Sequence, residues 1–171
     1  MKPYKDEIVT FRMMLQGYEQ AVERFQAATT RPLDPSSAFA PLFEALNWAV
    51  ALDDRTGEHW QPAGGPKPLK WEWRAKVEFG GYVSGIRFAR NRVHHQWSDA
   101  FFLESVGPLE GVWRTADQLP GGRDDQGIDS YRTLLAGKPV WHALRVLTEV
   151  YEWIVVRLEP QSWTQPPRQP S

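Results

Sequence analysis

The chain has 171 residues, 42% of them hydrophobic, and its 20 Lys and Arg against 21 Asp and Glu leave a net charge of −1. That length is enough for one domain with a buried core, and the charge balance excludes a binder that works through bulk positive charge. The absence of cysteine removes disulfides, thiolate zinc sites, iron–sulfur clusters and cysteine nucleophiles together. The N-terminus shows no apolar secretory run, and no stretch reaches the ~18 apolar residues of a membrane span, so a cytoplasmic protein with no membrane contact is expected.

Nine tryptophans are scattered from Trp48 to Trp163 without a repeat. They are read as core residues in preference to a platform for stacking bases. Residues 5–29 carry Ile8, Phe11, Leu15, Tyr18, Val22 and Phe25 at spacings of three and four, a single apolar stripe on a helix. Arg31-Pro32 ends it, because proline disfavours helical backbone in the residue before it. Ser36 or Ser37 suits the cap of a second helix that turns Phe39, Leu42, Phe43, Leu46, Ala49 and Val50 inward, with Asp53-Asp54 and Gly57 marking its end.

Residues 58–68 read as a loop, since they hold Pro62, Gly64-Gly65, Pro66 and Pro68. A third helix is expected from about Leu69 to Trp97, with Gly80-Gly81 as the place for a kink. Residues 98–130 are interrupted by Gly107-Pro108, Pro120-Gly121-Gly122 and Asp124-Asp125, an irregular insert in which Val112-Trp113 suggests a short strand. Pro139 suits the first turn of a fourth helix, on which Val140, Leu144, Leu147, Tyr151, Ile154 and Leu158 form the next stripe. Residues 159–171, with Pro160, Pro166, Pro167 and Pro170, read as a disordered tail. The expected fold is therefore all-α: a bundle of at least four long helices spanning residues 1–158, with the irregular insert around 98–130.

Positive charge is concentrated in the third helix and its approach. Seven Lys or Arg lie between Pro66 and Gln96 against Glu72 and Glu78, which suits a phosphate-bearing ligand as well as a solvated basic face. At about 100° per residue, Phe79, Tyr82, Val83, Ile86, Ala89, Val93 and Trp97 share the core face. Val77, Gly81, Ser84, Phe88, Asn91 and His95 fall nearly opposite, and this second apolar row predicts a homodimer packed through it. The competing reading folds the 98–130 insert over the same row. Neighbouring His94 and His95 point apart, so even with Asp99, His59 or His142 they make poor ligands for one ion, and neither metal nor cofactor is expected. His59 and His142 are read as core or surface histidines. The lack of a G-x-S-x-G elbow argues against a serine hydrolase still more strongly than the histidine geometry argues against a metal.

The segment Arg90-Asn91-Arg92-Val93-His94-His95 reads R-N-x-x-x-H, which resembles the motif of the HEPN (higher eukaryotes and prokaryotes nucleotide-binding) superfamily. The looser spacing from Arg87 to His94 also fits. The resemblance implies a dimeric helical bundle and a metal-independent endoribonuclease, a toxin or defence effector with RNA as substrate and an antitoxin or other protein partner. It implies Arg90, Asn91 and His95 as catalytic residues, with Arg87, Arg92 and His94 binding substrate around them. The side chains suit that chemistry. Histidine moves protons near neutrality, arginine offers phosphate a planar fork of donors, and Asn91 lies one turn before His95. The alternative is a non-catalytic module of the same fold that binds RNA, a nucleotide or a protein. A third reading, a purely structural interaction protein, makes the basic patch incidental.

Overall fold

The computed structural model describes residues 4–29, 35–59, 77–96, 101–104, 110–119 and 126–163. Helix α1 (Tyr4–Thr29) is followed by α2 (Pro35–His59) and α3 (Val77–Gln96). Strands β1 (Phe101–Glu104) and β2 (Glu110–Trp113) form one antiparallel ribbon in which Phe101 faces Trp113 and Glu104 faces Glu110. A short helix α4 (Ile128–Ser130) widens into a π-helical turn over Tyr131–Leu135, and α5 (Val140–Trp163) closes the bundle. The protein is an all-α bundle. No helix among the described residues is long and apolar enough to cross a membrane.

The stripes expected on α1 and α5 meet in the core. Phe11, Tyr18 and Phe25 of α1 and Leu144, Leu147, Tyr151 and Ile154 of α5 are buried, while the side chains of Ile8 and Leu158 lie outside the described residues. Two tyrosine hydroxyls tie the helices together within this core. Tyr18 donates to the Leu144 carbonyl at 2.6 Å, and Tyr151 donates to the Ala49 carbonyl at 2.7 Å. Their rings also meet edge to face, with centroids 5.7 Å apart. Burial raises both phenols far above the usual tyrosine range.

Several boundaries differ from the sequence expectation. Helix α2 runs past Asp53-Asp54 and Gly57 to His59, because Asp53 and Thr56 carry its buried stripe onward from Ala49 and Val50. Phe39 and Phe43 are half-buried and stack on each other at the rim of the bundle. Helix α5 continues through Pro160 to Trp163. Proline there removes only one hydrogen bond, near an end where the ladder is already ending. Residues 60–76, which include the expected start of the third helix and most of the loop before it, lie outside the described residues, as do 164–171.

The second apolar row of α3 is covered by the chain itself. Phe88 is buried against Tyr131, ring centroids 5.2 Å apart, and Tyr131 in turn meets the fully buried Trp113 at 6.2 Å. A Cβ added at Gly81 would stand 2.5 Å from Leu134, and one at Gly85 would stand 2.9 Å from Leu135. Gly127 sits against the Ser84 carbonyl with φ +88°, a left-handed conformation where glycine costs least. The row that suggested a subunit interface is therefore an intramolecular one. The insert does fold back, and residues 127–135, which straddle its end, do the covering. Strand β2 locks this arrangement: the Trp113 amide donates to the Lys138 carbonyl, and the Gly137 amide donates to the Trp113 carbonyl.

Candidate functional site

The inward stripe of α2 ends on an acid, and the acid meets α3. Asp53 is buried, and its carboxylate accepts from the Arg87 guanidinium at 2.8 Å. Asp54, the next residue, accepts from the same guanidinium at 2.6 Å. Burial alone would lower the arginine pKa, but hydrogen bonds to Asp54 and Asp53 outweigh it and raise the value. Arg87 is thus a held cation with its charge balanced by two carboxylates.

Beside this ion pair lies a cavity of about 520 Å³. One side is a stripe of α3 made of Gly80, Ser84, Arg87 and Asn91, spaced at three and four residues, with Val83 beside it. Asp53 of α2 and Gln126 from the approach to α4 line it as well. The geometry places Arg87 and Asn91 in one cavity, one turn apart.

The other candidates do not join them there. Arg90 follows Arg87 by three residues and is half-buried. Its Nε is shielded from solvent and makes no hydrogen bond among the described residues. Burial and then the neighbouring Arg87 charge lower the Arg90 pKa, and Asp54 only partly opposes them. Arg92, expected to bind substrate, is 4% exposed and lies with its guanidinium 4.7 Å over the Phe88 ring, on the covered row of the helix. It packs the interior there by a cation–π contact and is not a residue of the cavity. The backbone of His94 and His95 continues α3 through its last turn, and their side chains lie outside the described residues, as does Asp99. His142 is half-buried and meets the Tyr82 hydroxyl at 3.3 Å. Among the described residues, no three His, Asp or Glu gather as a metal site.

Asp53 and Gln126 were missed by the sequence reading. Asp53 had a signal: it lies four residues after Ala49 and three after Val50, so an acid continues an apolar stripe and calls for a buried cation. Gln126 had none, because it reaches the cavity only through the return of the insert. Comparisons with protein-family models, curated proteins and solved structures find no match for this chain.

Proposed function

We propose that the chain is a metal-independent endoribonuclease of HEPN-like type, acting as a dimer in the cytoplasm and serving as a toxin or defence effector. The observation that carries the reading is Arg90. A half-buried guanidinium whose Nε has no partner among the described residues, pressed by the charge of Arg87, has a demand for an anion. A phosphodiester oxygen supplies that partner, and Asn91 and the backbone of His95 stand next along the same helix.

In this scheme His95 takes the proton of the ribose 2′-OH as that oxygen bonds to phosphorus. The bond from phosphorus to the 5′-oxygen breaks, and a second histidine delivers a proton to the leaving oxygen. Arg90 stabilises the charge that develops on the phosphorus oxygens, and Asn91 orients the imidazole or the phosphate. The product end is a 2′,3′-cyclic phosphate. Since Gly81, Ser84 and Phe88 face the chain's own residues 127–135, the two-fold pairing belongs at the last turn of α3, where it brings the partner's His95 into the same cleft.

The test is cleavage of labelled RNA with EDTA present. His95→Ala and Arg90→Ala are each expected to slow cleavage by about 10²–10⁴-fold while the protein stays folded. Equal cutting by wild type and His95→Ala refutes the assignment, and cutting that stops on chelation moves the chemistry to a metal. One observation favours the non-catalytic alternative: Arg87, the cation inside the cavity, is already balanced by Asp53 and Asp54. RNA bound with no product formed selects that alternative.

A further inference from the structure

A glycine weakens a helix relative to alanine, so its presence asks for a reason. For Gly81 and Gly85 the reason is the close approach of Leu134 and Leu135. Gly80 has no such neighbour. No described atom lies within 4 Å of where its Cβ would stand, and its backbone is ordinary helix. The missing side chain opens the cavity that the same residue lines.

The walls of that cavity specify a ligand chemistry. Asp53, its side chain only 5% exposed, presents carboxylate acceptors, and each oxygen accepts more than one hydrogen bond. Arg87 donates, Ser84, Asn91 and Gln126 both donate and accept, and Val83 adds an apolar surface. Among the described lining residues and their partners, two carboxylates balance one guanidinium, so they offer no net positive charge to a phosphate. It suits a neutral, flat group with apolar faces and an edge of alternating donors and acceptors. A nucleobase has that form, and a carboxylate best matches the paired ring N–H and amino group of guanine. The stripe from Gly80 to Asn91 covers about 16 Å at the usual helical rise, which accommodates a nucleoside, with Arg90 close to its far end.

We infer that the cavity receives one unstacked base of the RNA strand, guanine by preference. Asp53 accepts from the N–H edge of the base, and Asn91 links the base to the phosphate held at Arg90. The RNA strand in this assignment rests on the ribonuclease reading; the base pocket itself rests on the cavity.

The probes are 5′-GMP, 5′-AMP, 5′-CMP and 5′-UMP, titrated by calorimetry into the full chain as wild type, Gly80→Leu and Asp53→Asn. Cleavage of RNAs differing in the base beside the cut is measured in parallel. GMP is expected to bind about tenfold more tightly than the other three. Gly80→Leu fills the space and weakens GMP by about tenfold or more, with thermal unfolding reporting an intact fold. Asp53→Asn keeps the shape, removes the carboxylate and abolishes the preference for GMP, which decides the matter should the leucine variant fail to fold. Equal affinity for all four nucleotides, or GMP binding unaltered in Gly80→Leu, overturns the pocket. GMP binding that Gly80→Leu destroys, in a protein that cuts no RNA, keeps the pocket and removes the ribonuclease reading. Cleavage that needs His95 but keeps its rate and base preference in Gly80→Leu does the reverse.

Discussion

Arg87→Met separates the structural part of the site from its chemistry. The substitution keeps most of the aliphatic stem and takes the guanidinium away from two carboxylates of unequal exposure. Asp53 has 5% of its side chain exposed and is poorly solvated, whereas Asp54 has 52% exposed and is solvated at once. The exposed pair is worth no more than about 0.5 kcal/mol. Losing the partner of a buried charge costs about 3–5 kcal/mol, and the 30% exposure of the Arg87 side chain puts this case at the low end, about 3 kcal/mol. For a domain of this size that lowers Tm by about 6–12 °C. Urea unfolding at pH 7 measures the deficit. Adding Asp53→Asn to Arg87→Met removes the buried charge and returns at least half of the loss. A deficit below about 1 kcal/mol, or one indifferent to Asp53→Asn, refutes the picture of Arg87 as counter-ion to a buried acid.

Gly80→Ala is expected to stabilise the protein by about 0.5–1 kcal/mol in urea unfolding, since no described atom lies within 4 Å of its Cβ position and alanine favours the helix. Gly85→Val has the opposite sign, about 1–3 kcal/mol of destabilisation, because its Cβ would meet Leu135 at 2.9 Å and the Tyr131 backbone at 3.2 Å. Dissociation of a dimer by Gly85→Val with no loss of stability would instead restore this face of α3 as a subunit interface. Burial raises the phenol pKa values of Tyr18, Tyr131 and Tyr151, so the folded chain keeps three protons that the unfolded chain releases near pH 10. Unfolding then releases protons: stability holds up to about pH 9.5 and falls above it by as much as about 4 kcal/mol per pH unit. Tyrosinate absorbance that rises for these groups before unfolding, not with it, would contradict their burial.

The stripes of α1 and α5 and the inner face of α3 were legible as residue spacings because helical periodicity is local. Tyr18 and Tyr151 have to face inward whatever the rest of the chain does, once their neighbours at three and four residues are apolar. The concentration of Arg87, Arg90, Asn91 and the two histidines on one helix was legible for the same reason, as were four long helices interrupted by an irregular segment. Tertiary structure decided which of those groups share a space. Periodicity put Asn91 opposite the core, but the cavity before it exists only because Asp53 arrives from 38 residues earlier and Gln126 from 35 later. Arg92 looked as available as Arg90 by spacing, yet Arg92 is buried with its guanidinium over the Phe88 ring while Arg90 stays half-exposed. The second face of α3 could equally have met another subunit, since an apolar row records only that something must cover it. What covers it depends on the return path of residues 114–139, and that path is set by turns, a two-stranded ribbon and the fit of Trp113 behind Tyr131. Such contacts join residues far apart in the chain, where no local period carries information about the partner.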